Sequence, residues 1–233
     1  MNKLEIYAIL FLTLSVFACN KTQDQATGVG DALVVSKKIG TQTVYGVSLY
    51  AYTFSSFKSV TAVNSIVADH IYTLSANQGY ATNFHYETPD SEFTAIKPVA
   101  STYNFSAVFT NGSTGTFQDY LTDQVLDLPN ITKCEYSTTD HQFEMNWDLL
   151  SNADSYAINI LDGTTVVFAS PELAKTIKAY AISVSGGGWA TGFTPVVGKT
   201  YTIRLLAFMY EPGGDAYNVQ AASLTDKTAA WGN

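Results

Sequence analysis

Apolar and polar residues alternate in short runs through most of this chain, and turn residues break the runs at close intervals. The clearest run is Thr102-Tyr103-Asn104-Phe105-Ser106-Ala107-Val108-Phe109. Side chains alternate across a strand, so Tyr103, Phe105, Ala107 and Phe109 share one face. Asn111-Gly112 follows as a hairpin signal, and residues 116–121 read as the returning strand. Upstream, residues 43–54, 60–63, 71–75, 83–86 and 92–96 read as further strands.

The same grammar restarts near Leu128-Pro129. Phe143, Met145 and Trp147 alternate inward on one strand, and Tyr156, Ile158 and Ile160 on the next. Asp162-Gly163 marks a second hairpin, answered by Val166-Val167-Phe168. Residues 180–184, 201–208 and 217–224 continue the pattern, and residues 170–175 predict one short helix or turn. Many short strands at this spacing predict an all-β chain built as a sandwich. A length of 233 residues suits one large domain or two of roughly 100 residues.

Composition agrees. Aromatic residues reach 13%, led by 15 Tyr and 13 Phe, and charged residues fall to 14%. Such residue types fit a pleated, half-buried surface. The net charge of -8 argues against a nucleic-acid partner, because no basic patch is present to neutralise phosphates.

The N-terminus reads differently. Lys3 precedes an apolar stretch over residues 6–14, too short for a permanent membrane span, and Val16-Phe17-Ala18-Cys19 follows. A small residue directly before Cys, with Val three residues before it, resembles the lipobox of bacterial lipoproteins. The resemblance implies cleavage before Cys19, an acyl lipid such as palmitate on its thiol, and a protein tethered outside the cytoplasm. An ordinary secretory signal and a retained anchor remain the alternatives. The polar run from Asn20 and the Thr27-Gly28-Val29-Gly30-Asp31 stretch read as a flexible tether. The expected organisation is a signal peptide at 1–18, a lipidated tether at 19–34, an immunoglobulin-like sandwich at 35–127 and a fibronectin type III-like sandwich at 128–233.

The last assignment rests on particular residues. Trp147 ends a second strand, Ala153-Asp154-Ser155-Tyr156 opens a third, and Gly198-Lys199-Thr200-Tyr201 is similar to the tyrosine corner of fibronectin type III domains. That resemblance implies a Tyr201 hydroxyl bonded to backbone upstream. Pro98 to Tyr103 echoes Pro195 to Tyr201, so the two halves read as related sandwiches in tandem.

Candidate chemistry is sparse. His70, His85 and His141 form no metal-type spacing, and no run of carboxylates resembles a calcium loop. Ser183 to Gly188 lacks the strand-to-helix elbow of a serine nucleophile. If Cys19 carries lipid, Cys134 has no disulfide partner, and it reads as a small buried side chain. No cofactor, metal or catalytic residue is expected, and the chain does not read as an enzyme.

The functional candidates are aromatic. Trp189 follows three glycines and precedes Phe193 in one loop, and Tyr210 stands before Glu211-Pro212-Gly213 in another. If the second sandwich binds a ligand, Trp189, Phe193 and Tyr210 are expected to share one exposed end of it, where loop rings stack on sugars or anchor proteins; alternatively, Trp189 caps the sandwich. Trp231 packs on the second half or belongs to a frayed tail. The architecture resembles small lipoproteins of Bacteroidota. The resemblance implies an outer-membrane, lipid-anchored binding or adhesion module for a glycan or protein partner. The alternative is a structural spacer or subunit of a surface assembly.

Overall fold

The computed structural model describes residues 26–77, 79–213 and 218–232. Cys19 and the signal segment lie outside the described residues. The first half contains β1 (Val29–Ile39), β2 (Gln42–Tyr52), β3 (Phe57–Asn64), β4 (Ile71–Asn77), β5 (Tyr80–Glu87), β6 (Ser101–Phe109) and β7 (Thr114–Leu121). The second contains β8 (Ile131–Ser137), β9 (Gln142–Trp147), β10 (Ser155–Asp162), β11 (Thr165–Ala169), β12 (Leu173–Ala174), β13 (Ala179–Ser183), β14 (Thr200–Tyr210) and β15 (Val219–Ala230). Apart from a 3-10 turn at Asp90–Glu92, the described residues hold no helix.

Alternation placed the cores where the pattern predicts them. Tyr103, Phe105, Ala107 and Phe109 of β6 are buried with Leu49, Phe57, Val60 and Phe84 in one cluster. Phe143, Met145 and Trp147 of β9 face Tyr156, Ile158 and Ile160 of β10 in a separate cluster. Each large apolar side chain among them stabilises the fold by about 1.5–3 kcal/mol through burial. The linker divides between the cores: Val125 packs on the first and Leu126 is buried in the second.

Strand pairing gives both halves the connectivity of an immunoglobulin-like sandwich. In the second half β8, β9 and β13 form one layer, and β11, β10, β14 and β15 the other. In the first, β1, β2 and β5 oppose β3, β6 and β7, and β4 changes layers along its length. Its start pairs with β3 (Val63↔Ile71 to Val60↔Leu74), and its end pairs with β5 (Ser75↔His85). β6 lies between β3 and β7, and β14 lies between β10 and β15. The Tyr201 hydroxyl accepts from the Val196 N–H at 3.0 Å, five residues upstream.

Three local readings need correction. The tether was expected to reach residue 34, but β1 begins at Val29, and Ala32, Leu33 and Val34 are buried. Gly28 and Gly30 resemble linker residues, yet their lack of a side chain serves packing. A Cβ on Gly30 would meet the Phe105 ring at 2.5 Å, and one on Gly28 would meet Phe117 at 2.5 Å. Residues 92–96 form no strand. Between Pro89 and Pro98 the chain makes the 3-10 turn, and Thr94 alone exchanges backbone bonds with Tyr45. Residues 170–175 form no helix, because Leu173 and Ala174 pair with Tyr156 and Ser155 of β10.

The halves are joined by more than their linker. β15 pairs in parallel with β1 (Val34↔Ala221, Val35↔Ala222, Ser36↔Ser223). One hydrogen-bonded path therefore runs from β11 through β15 and β1 into the first half. Leu33, Val219 and Ala222, with Tyr50, Phe208 and Tyr210 against them, form a third small cluster at this joint. The Ser223 hydroxyl donates to the Asp127 carbonyl at 2.8 Å and ties the linker to the same seam.

Candidate functional site

The aromatic candidates do not share a site. Trp189 and Phe193 stack on each other, with ring centroids 5.7 Å apart. Trp189 also meets Phe168 and Trp231 edge-on, at 5.0 and 5.3 Å. Its Nε1–H donates to the Ser183 carbonyl at 2.9 Å, so the half-buried ring is fixed on both edges. Gly188 makes this possible. It adopts φ +100, and a Cβ there would come within 2.5 Å of the Ala169 carbonyl oxygen. The loop is thereby pinned to β11, and Trp189 closes the end of the second core with Trp231, which is buried rather than frayed.

Tyr210 lies at the other end of β14 from Tyr201 and hence from Phe193. Nine residues of strand separate those ends by about 30 Å. Its hydroxyl donates to Ser155 Oγ at 2.7 Å, and its N–H donates to Asp154 Oδ2 at 3.0 Å. The expectation that Trp189, Phe193 and Tyr210 would line one exposed surface is therefore corrected. Loop rings were assigned to one end without the strand direction that separates them.

The other chemical candidates also stay apart. His70 sits beside Tyr72, His85 stacks on Tyr50, and His141 lies in the turn between β8 and β9. Among the described residues no group of three or more His, Cys, Asp or Glu could hold a metal ion. Cys134 packs against the second core, and burial pushes its thiol up to about 11, so little nucleophilic thiolate forms near neutral pH.

The joint builds a different kind of site. The outward faces of β1, β2, β10, β14 and β15 bound a cleft of about 700 Å³ between the two halves. Leu33, Val35, Leu206, Phe208, Ala222 and Leu224 supply an apolar floor, and Asn159, Val166 and Thr225 lie around it. Charges of both signs frame it. Arg204 grips Asp226 with two bonds of 2.9 Å, from Nε and from a terminal nitrogen. That pairing raises the Arg204 pKa further, against the opposing effect of burial. Across the cleft, Lys37 bonds Asp90 and lies 3.7 Å over the Phe93 ring. The Lys37 hydrogen bond holds the Asp90 carboxyl below the usual range.

The seam beside the cleft holds a buried acid. Asp31 Oδ2 accepts from the Val219 N–H at 3.4 Å. Burial foremost, then the charge of nearby Asp119, pushes its pKa up to about 8. Asp119 itself accepts from the Ala32 N–H at 2.8 Å and is also raised by burial.

A sequence signal for the cleft existed. Along residues 205–208 both alternating faces are apolar, with Leu205 and Ala207 on one and Leu206 and Phe208 on the other. Residues 32–35 form an unbroken apolar run. Strands apolar on both faces are covered on both faces.

No protein-family model matches this chain, and the search of curated proteins finds no match. Solved structures do show similarity. The fibronectin(III)-like modules of Clostridium thermocellum CbhA align over 78% of this chain and 82% of theirs, at 13% identity and a TM-score of 0.27. A two-domain fibronectin type III segment of chicken tenascin aligns over 78% of this chain and 91% of its own, at 12% identity and a TM-score of 0.29. A chain of a cytokine receptor complex aligns over 87% and 97%, at 10% identity and a TM-score of 0.29.

Proposed function

We propose that this chain is a non-catalytic binding module of the cell envelope, held at the outer membrane by a lipid on Cys19, and that the cleft between its halves receives a protein partner. The observation that carries the reading is the cleft of about 700 Å³, built by strands of both halves on one continuous sheet. Its volume falls in the range of specific binding clefts, which gather at such junctions. An apolar floor framed by ion pairs of both signs suits an extended polypeptide with mixed side chains. A sugar would want a flat exposed ring, and the rings at Trp189 and Phe193 are instead occupied in closing the second core.

A peptide array and a glycan array, probed with the mature protein, test this. Val166 is exposed on β11 and lines the cleft without entering either core. Val166→Arg is expected to abolish peptide capture and leave the unfolding midpoint in place. Capture unchanged by Val166→Arg, or capture of glycans alone, counts against the reading. The spacer alternative draws on the parallel pairing of β1 with β15, which fixes the two halves as one beam. It predicts no capture on either array.

A further inference from the structure

We propose that the end of the first half where the chain enters rests on a lipid surface, with Phe54 and Tyr80 as its contacts. Phe54 is fully exposed at the tip of the β2–β3 turn, and Tyr80 is 66% exposed at the start of β5. The two tips adjoin, because the Thr53 N–H donates to the Thr82 carbonyl at 3.0 Å. The β6–β7 hairpin stands alongside through the bond from Thr110 N–H to the Ser56 carbonyl at 2.9 Å. The same end receives the N-terminal chain, since the Thr53 hydroxyl donates to the Thr27 carbonyl at 2.7 Å.

Charge separates this end from the opposite one. Residues 53–56, 77–80 and 110–113 contain no charged residue, in a chain with a net charge of -8. Lys58, exposed on β3 nearby, adds a cation whose stem can lie along apolar surface. The far end of the same sandwich carries charges of both signs, Asp69, Glu87, Asp90 and Glu92 with Lys37, Lys38 and Lys97. That density of charge keeps the far end in water, whereas a neutral tip with one Lys can meet headgroups at little desolvation cost. Phe and Tyr side chains are at home at the level of the headgroups, where an apolar ring leaves water.

The inference rests on the lipid-anchor reading for its geometry. Even fully extended, the chain from Cys19 to Thr27 spans at most roughly 27 Å. A lipid on Cys19 would therefore keep this tip close to the bilayer, and a weak apolar contact would then suffice to seat it.

Mature protein reconstituted in phosphatidylethanolamine and phosphatidylglycerol vesicles, with and without a doxyl-labelled lipid, tests the contact. A bimane label on Ser55→Cys, in a Cys134→Ser background, is expected to be quenched by the doxyl lipid. A label on Asn111→Cys should behave the same way. A label on Thr139→Cys, in the β8–β9 turn at the far end of the second half, is expected to stay bright. Phe54→Asp is expected to lower the seated fraction by about tenfold or more, because one large apolar side chain no longer leaves water. No quenching at Ser55→Cys overturns the proposal; so does equal quenching at Thr139→Cys, or quenching that survives Phe54→Asp. The mass of the Cys19 peptide is read separately. A peptide without acyl mass overturns the anchor, and the quenching still decides whether the tip seats.

Discussion

The two halves share one strand connectivity and differ in how their layers close. In the second half the layers are separate, and loops finish the core: Trp189 and Trp231 lie over one end with Phe143, Phe168 and Phe193 around them. In the first half β4 crosses between layers, and the sheet itself wraps the core. Rings there are supplied by strands, with Phe105 stacked on Phe117 at 5.3 Å and Phe57 on Phe109 at 5.2 Å. The difference teaches that a shared topology leaves the closure of the barrel-like ends to local residues. Gly28 and Gly30 let β1 approach Phe117 and Phe105 in one half, and Gly188 lets a loop reach β11 in the other.

The largest expected effect tests whether the two cores are independent. Trp147→Ala is expected to cost about 3–5 kcal/mol, the range for truncating a buried aromatic. Denaturant unfolding followed by Tyr and Trp fluorescence should show whether the first half unfolds with it. A single transition would mean that the β1–β15 seam couples the cores, and two transitions would mean that it does not.

Closure by loop rather than by strand is tested at Trp189. Trp189→Ala is expected to cost about 2 kcal/mol, less than a fully buried ring because the residue is only half-buried. A change within about 0.5 kcal/mol would return Trp189 to the surface class and revive it as a contact for ligands.

A smaller effect belongs to the tyrosine corner at the start of β14. Tyr201→Phe removes the acceptor of the Val196 N–H and is expected to cost about 1 kcal/mol. Amide exchange at Val196 should accelerate if the bond holds that corner.

The subtlest test is at the seam. Asp31 has its pKa raised to about 8 in the folded protein, against 3.8 for the free side chain. The folded state therefore binds more protons than the unfolded state between those values, and stability falls as pH rises through that window. Asp31→Asn is expected to flatten this slope, so that wild type and variant differ in pH dependence between pH 5 and pH 8. Thermal midpoints across that range read it. A wild type that gains stability toward pH 8 would remove Asp31 from the seam's electrostatics.

Much of the fold was legible in the chain. Alternation located the inward faces of β6, β9 and β10 because each strand packs on a core from one side only. Tyr201 was legible because its motif is local, with the hydroxyl reaching backbone five residues away. Trp189 and Phe193 were found as a pair because they are close in sequence. Their union with Tyr210 failed because strand direction, not loop composition, sets which end a residue occupies.

Sequence alone determined the strand-rich character, the two apolar clusters and the turns at Asn111-Gly112 and Asp162-Gly163. These depend on periodicity and on local backbone preference. Only the tertiary structure decided that β15 lies parallel to β1, that β4 divides between layers, and that Arg204, Asp226, Lys37 and Asp90 surround one cleft. Those outcomes join residues far apart in the chain. Their energies come from desolvation and sheet bonding between surfaces that exist only once both halves are folded.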